Sequence, residues 1–373
     1  MSCVIFVANR GYALTSSRKS IINFFLSSGW KVVAITAKDV ESQELQNMGV
    51  HLESVTFNRG GLIFRDILTF FKLIYIYRKW HPDLIHHFHA KPVIFGSIAA
   101  RWVLGGATQV VNTITGLGNA FTSKGFSVKL AGWGYQFALY GNAVTIFQNN
   151  DDRNFFIKKK WVLKSKSRLI VSSGVDTNLF PFVNRHGRDS ASLTVVMVGR
   201  LLKQKGVLEF GKVAHYIRQR YPKVRFLVIG EKELEHPDSI TLDWIYSQQD
   251  VEFLGRLSDV SSVLSTADIF LFPSYYREGV PRAVLEASSM GLPIVGYSVP
   301  GVKEAVRNNE TGYLVPTRNI EALTKCVLKL LRNDDLRLSM GKNGRDFMVQ
   351  NFDKPIIDKQ YIQVYREFGF KIE

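Results

Sequence analysis

Two carboxylates with a fixed spacing offer the first chemistry. In "EGVPRAVLEASSMGLP", residues 278–293, Glu278 stands just before a helix-like run and Glu286 lies near its middle, with seven residues between them. A strand-like run, "DIFLFPS" (268–274), leads into this stretch, and Pro281 suits the first turn of a helix. The amides of Gly279 and Val280 then precede a helix N-terminus, a favourable place for a phosphate. Gly279 lets a ligand approach the backbone closely. Glu278 beside a phosphate is repelled by it and must turn to neutral hydroxyls. Glu286 shares its helix with Ala, Val, Leu, Ser and Met, so its charge needs partners. A vicinal diol supplies two donors for its two oxygens. In isolation, a capping acid at 278 and a solvent-facing acid at 286 explain the spacing equally well.

A second stretch carries the opposite charge. In "VVMVGRLLKQKGV" (195–207) a strand ends at Gly199, and Arg200, Lys203 and Lys205 fall in the short loop before Gly206 opens a helix. Cations at the carboxyl end of a parallel strand sit where a phosphate sits. Arginine forks onto two phosphate oxygens, and lysine supplies a mobile point charge. An Arg/Lys loop after one strand and a two-acid motif after a later one together describe a pyrophosphate with sugars at both ends, a nucleotide sugar.

Such loops need a frame, and the chain supplies one. Short apolar runs alternate with amphipathic segments. Strands are expected at 3–8, 31–36, 50–57, 82–88, 109–114, 143–148 and 167–172, with helices near 17–28, 40–48, 62–80, 92–104 and 126–140. A polar stretch at 179–192 reads as a linker. The pattern then restarts with strands at 193–199, 224–230, 251–255, 268–274, 293–297 and 312–316, and helices between them up to 355–369. Strands alternating with helices predict parallel sheets covered on both faces. The expected architecture is α/β: two Rossmann-like parallel-sheet domains whose site lies in the cleft between them, with domains at 1–178 and 193–352 and a last segment, 353–373, packing back on the first.

The 373 residues, 46% of them hydrophobic, are enough for two cores. Cys3 and Cys326 form neither a disulfide framework nor a metal-ligand spacing. "MSCVIFVANR" is too short an apolar run for a signal peptide and reads as a first strand. Leu130–Phe147 lacks charge but is broken by Gly132, Gly134, Gly141 and Asn142, so no membrane span is expected. No phosphate-loop motif appears, and "NRGYAL" has only Gly11 where a dinucleotide fingerprint needs three glycines. Charge is uneven: residues 1–178 hold 21 Lys/Arg against 9 Asp/Glu. Such a half attracts polyanions, and Lys158–Lys160 before Trp161 would suit an anionic headgroup layer, where each cation gains about 1 kcal/mol.

These motifs carry a family resemblance. Gly199-Arg200-Leu201 with Lys205-Gly206, Glu278 spaced from Glu286, and "GLPIVGYSVPGVKEAVRNNETGYLVP" (291–316) resemble the retaining family 4 glycosyltransferases of the GT-B fold. "HFHAKPVIFGSIAAR" (87–101), "NTITGLGNAF" (112–121), "IFQNNDD" (146–152) and "SSGVDTNLF" (172–180) resemble the bacterial branch that extends lipid-linked sugars for surface polysaccharide. The resemblance implies roles. Arg200 and Lys205 hold the diphosphate and stabilise its leaving charge. Glu278 meets donor-sugar hydroxyls, with Gly279 and Val280 offering amides nearby, and Glu286 binds the ribose diol. His89 faces the donor sugar, while His86 and His87 are structural. Gly11 matches a glycine loop near acceptor and phosphate, where the family often has two adjacent glycines.

The implied reaction is sugar transfer with retention, without metal or other cofactor, the nucleotide sugar being a substrate and UDP the expected carrier. The implied acceptor is a polyprenyl-diphosphate-linked saccharide, the implied partner surface an anionic inner membrane met from the cytoplasm, and no nucleic acid is involved. The aromatic-basic run "SKGFSVKLAGWGYQFALY" (123–140) suits such an interface. A nucleotide-sugar 2-epimerase of the same architecture is the competing enzyme, and a polyanion-binding protein with an inactive cleft the competing non-enzyme.

Overall fold

The structure is a computed structural model that describes residues 1–57, 64–105, 108–117, 126–141, 143–188, 192–233, 236 and 238–370. Residues 118–121 of "NTITGLGNAF", 123–125 of the aromatic-basic run, Asn142, and 189–191 of the expected linker lie outside these residues. The chain divides into two compact units, Met1–Ser173 with Ile357–Glu373, and Gly174–Ile356.

In the first unit the apolar runs become strands β1 (Cys3–Arg10), β2 (Lys31–Ala37), β3 (His51–Ser54), β4 (Leu84–Phe88), β5 (Gln109–Ile114), β6 (Val144–Phe147) and β7 (Ser167–Leu169). They form one sheet in the order β3-β2-β1-β4-β5-β6-β7, each neighbour parallel. Between them run helices α1 (Gly11–Ser27), α2 (Val40–Asn47), α3 (Phe64–Trp80), α4 (Ser97–Leu104), α5 (Phe126–Leu139) and α6 (Asn150–Lys158). Successive residues of a strand face opposite sides. Val4, Phe6 and Ala8 therefore enter one core, and Cys3, Ile5 and Val7 the other. Both faces are covered, which is why β1 reads as an unbroken apolar run rather than an alternating one.

The second unit holds β8 (Thr194–Val198), β9 (Arg225–Ile229), β10 (Glu252–Gly255), β11 (Ile269–Phe272), β12 (Ile294–Tyr297) and β13 (Gly312–Val315), again all parallel, in the order β10-β9-β8-β11-β12-β13. Its helices are α7 (Val207–Arg218), α8 (Leu242–Ser247), α9 (Ser261–Thr266), α10 (Arg282–Ser289), α11 (Val302–Ala305), α12 (Ile320–Leu331) and α13 (Asp334–Asn351). The last helix, α14 (Lys354–Arg366), sends Ile357, Tyr361, Val364 and Tyr365 into the core of the first unit.

Strand order decides where a ligand can go. In the first sheet β1 has β2 on one side and β4 on the other. In the second, β8 stands likewise between β9 and β11. Each reversal opens a crevice at the carboxyl ends of the two strands. Gly11 and His89 come after β1 and β4, and Arg200–Lys205 and Glu278 after β8 and β11.

Some helices differ from the expected bounds. The helix expected over 17–28 begins at Gly11, because the Asp39 carboxylate accepts the Gly11 amide at 2.8 Å while also capping α2 through Ser42. The helix expected over 92–104 opens as a π turn, Pro92–Gly96, before α4. Such turns recur at functional sites. The helix expected over 301–307 shrinks to Val302–Ala305, since Arg307 N turns to the Thr311 hydroxyl. Among the described residues no helix is long and apolar enough to cross a membrane.

Candidate active site

The second unit gathers most of the expected residues. After β8, Gly199 and Arg200 lead to a short 3-10 turn, Lys203–Lys205, closed by Gly206 at φ 84°. A Cβ at Gly206 would lie 2.1 Å from the Pro273 carbonyl, so only glycine lets this loop press on the one after β11. Tyr275 N donates to Gln204 O at 3.0 Å and completes the contact.

The result is a two-pronged ion pair. Lys205 Nζ donates to both carboxylate oxygens of Glu278, at 2.7 and 2.6 Å, and its side chain is 9% exposed. The Ser274 hydroxyl lies 3.4 Å from Glu278 Oε1. Burial pulls the Lys205 pKa below its ordinary value, Glu278 opposes that shift, and Arg200 adds to it. The Tyr276 ring lies 5.0 Å from Lys205 Nζ and 6.0 Å from Arg200 Cζ, within cation–π range of both. Arg200 in turn donates to Glu233 at 3.1 Å.

Gly279 and Val280 are buried, and no acceptor among the described residues meets their amides. The pair is backed by Gly301, whose φ of 90° favours glycine, and where a Cβ would lie 2.0 Å from Gly279 O and 2.8 Å from Glu278 O. Glu286 is buried on α10 and accepts from Arg282, one turn earlier, at 2.7 Å. The loops thus place two cations, two free amides and the Glu278 carboxylate at the carboxyl ends of β8 and β11, while Glu286 lies further along on α10.

In the first unit His86 and His87 are fully buried. His86 lies 2.7 Å from both Tyr365 Oη and Thr113 Oγ1. His87 donates from Nδ1 to Asn112 Oδ1 and accepts at Nε2 from the Tyr77 hydroxyl, both at 2.9 Å. Burial lowers the pKa of both, His87 to about 4, so they stay neutral. His89 differs. It adopts φ 74°, rare for a residue with a side chain, and its buried Nδ1 has no hydrogen-bond partner. Burial, with the nearby Arg18 charge, lowers it to about 4. Gly11 is fully engaged: its amide is taken by Asp39, and a Cβ there would lie 2.4 Å from Asp39 Oδ1.

Sequence reasoning passed over Arg18. This guanidinium, on the apolar face of α1 and 2% exposed, stacks 4.4 Å from the Tyr361 ring and 4.8 Å from Phe88. Its Nη2 donates to the Tyr361 hydroxyl at 2.9 Å, while Nη1 has no partner. Among the described residues no carboxylate reaches it. The signal was a lone cation in the apolar series Leu14, Arg18, Ile21, Ile22, Phe25. Gly301 and Tyr276 were also passed over, because their roles depend on loops meeting in space.

Comparison with known proteins respects the same division. Residues 182–347 match the family "Glycosyl transferases group 1", and residues 3–150 match "Glycosyl transferase 4-like". An Escherichia coli UDP-Gal:alpha-D-GlcNAc-diphosphoundecaprenol alpha-1,3-galactosyltransferase is 31% identical over 80% of this chain and 79% of that protein. A Campylobacter jejuni N,N'-diacetylbacillosaminyl-diphospho-undecaprenol alpha-1,3-N-acetylgalactosaminyltransferase is 28% identical over 96% of this chain and 97% of that protein. The fold matches the crystal structure of Anabaena HepE in complex with UDP and glucose, with a TM-score of 0.77 at 16% identity, over 98% of this chain and 100% of that one. The chain belongs to the family 4 glycosyltransferases of the GT-B fold, and it is an enzyme of sugar transfer.

Proposed function

We propose that the chain moves a hexose or N-acetylhexosamine from a nucleotide sugar, with UDP as carrier, to a polyprenyl-diphosphate-linked saccharide in surface polysaccharide synthesis. The observation that carries this reading is the cluster of Arg200, Lys205, Glu278 and the free amides of Gly279 and Val280 at one crevice. Cations and amides suit a diphosphate, and carboxylates suit hydroxyls. The two relatives above, whose names specify diphospho-undecaprenol acceptors, support the acceptor class.

In this reading the acceptor oxygen attacks the anomeric carbon from the face that the diphosphate leaves. The carbon–oxygen bond to phosphate breaks with its electron pair going to phosphate oxygen, which takes the acceptor's proton. Configuration is retained. Arg200 and Lys205 stabilise the charge that grows on the leaving oxygens, and no metal is invoked. Glu278 orients sugar hydroxyls, and Glu286 holds the ribose diol. His89, neutral at working pH, offers its other ring nitrogen to the sugar. Gly11, the first residue of α1 with its amide held by Asp39, stands on the acceptor side.

The first unit carries the acceptor in this reading, docked on the cytoplasmic face of the inner membrane. Its helices expose Leu68, Phe71 and Tyr75 on α3, Trp102 on α4, and Trp133 and Phe137 on α5. Aromatic rings beside cations suit an anionic bilayer surface.

The test is a donor screen with UDP-, GDP- and ADP-sugars and a bacterial membrane lipid extract, measuring nucleotide release and lipid glycosylation. Lipid-dependent release of UDP supports the reading. Epimerised sugar nucleotide without nucleotide release, or no turnover by folded protein with any donor and extract, overturns it.

A further inference from the structure

The ion pair between Lys205 and Glu278 places two residues with different tasks in each other's hands. Lys205 is assigned to phosphate and Glu278 to sugar hydroxyls, yet each satisfies the other through two short contacts. The pair is not an incidental surface contact. The two residues are 73 positions apart, and their loops are locked by Gly206 against Pro273, by Tyr275 on Gln204, and by Gly301 under the Glu278 carbonyl. Arg200, more exposed, makes one contact of 3.1 Å to Glu233.

A diphosphate that enters this crevice must take Lys205 from Glu278 and then sit beside the released carboxylate. Whether the carboxylate then finds a new partner depends on the ligand. A sugar-loaded donor brings hydroxyls that donate to Glu278 and replace the ammonium hydrogens it lost. A bare nucleoside diphosphate brings no hydroxyl to that position, and its terminal phosphate carries more negative charge. A half-buried carboxylate that has lost its ammonium, and like-charge contact, both act against the bare nucleotide.

Building on the transferase reading, we propose that Glu278 sorts loaded donor from spent nucleotide. Lys205 exchanges its carboxylate for phosphate more readily when a sugar compensates Glu278. Once the sugar has left, Lys205 returns to Glu278 and the nucleoside diphosphate is expelled. Glu278 is then a specificity element for product release, in addition to its contact with the sugar.

The experiment is calorimetric titration of UDP, GDP and ADP into wild type, Glu278→Gln, Lys205→Met, and the double variant Lys205→Met/Glu278→Gln, each checked by thermal melting. Gln keeps the shape of Glu278 and removes its charge. The bound nucleotide should tighten by about tenfold or more in Glu278→Gln, the scale of one lost charge contact at an effective dielectric near 20 after competing solvation. Measured from Lys205→Met to the double variant, the same change should gain clearly less, because only the relief of like-charge contact remains once Lys205 has no ammonium to release. Equal or weaker nucleotide binding by folded Glu278→Gln overturns the sorting role, and the transferase reading stands if wild type still binds nucleotide and turns over. Absence of any nucleotide binding and turnover in wild type overturns both. A further readout needs no variant: wild type that binds bare nucleotide more tightly than the sugar-loaded donor it consumes also overturns the sorting role.

Discussion

Replacing Lys205 by Met isolates the charge from the packing. Met keeps an unbranched stem of similar length beside Phe272 and Tyr276, whose rings lie 5.9 and 5.0 Å from Nζ. What goes is the ammonium. A unit charge about 4 Å from a developing negative charge, at an effective dielectric near 20, contributes about 4 kcal/mol. If that interaction strengthens chiefly in the transition state, its loss lowers the rate by about a thousandfold. The stability effect is smaller. Glu278 loses its two short contacts and keeps the Ser274 hydroxyl at 3.4 Å. Its side chain is 18% exposed, so water partly replaces the ammonium, and the loss should stay within about 1–3 kcal/mol. The assay is nucleotide release at saturating donor, alongside thermal melting. A folded Lys205→Met protein with a rate within about tenfold of wild type refutes the catalytic role of the charge, which would then contribute under about 1.4 kcal/mol to the transition state.

Three further outcomes rest on separate parts of the structure. Gly301→Ala places a Cβ 2.0 Å from the Gly279 carbonyl at a φ of 90°, a strain of about 1–3 kcal/mol at the Glu278 loop. Nucleotide binding should weaken by about tenfold or more while circular dichroism is unchanged, and wild-type affinity would contradict the packing role of Gly301. Acid should weaken the first unit: His87 and His89 have folded pKa values lowered to about 4, so the unfolded chain binds more protons as pH falls from about 6.5 towards 4. Stability is lost over that window, by about 2 kcal/mol for His87 alone at pH 5, and denaturant melts that match at pH 7 and pH 5 would sink the claim. Wild type should sediment with phosphatidylglycerol vesicles more than with phosphatidylcholine ones, and Trp102→Gln with Trp133→Gln should lose most of that binding. Equal sedimentation of the double variant would rule the aromatic face out as the docking surface.

The fold class was legible because a parallel sheet covered on both faces writes itself as repeated short apolar runs, and β1, β4, β8 and β11 all read that way. Helix starts were less legible. The helix at Gly11 begins six residues before the apolar period does, because its first amide is held by Asp39, a residue from another loop. The candidate site divides along the same line. That Arg200, Lys205 and Glu278 come after strands could be read locally, since each lies within a few residues of an apolar run. That Lys205 and Glu278 grip one another could not, because it depends on which strands neighbour β8, on Gly206 clearing Pro273, and on Gly301 clearing Gly279. Arg18 was missed for a related reason. A lone cation on an apolar helix face predicts a snorkelling side chain, and only α14, arriving from the far end of the sequence with Tyr361, turns it into a buried one. In both units, then, the chemistry-bearing residues announce themselves by type and spacing. Their state of charge and their partners are set by segments up to 343 residues away, and it is those partners that decide what each group can release to a ligand.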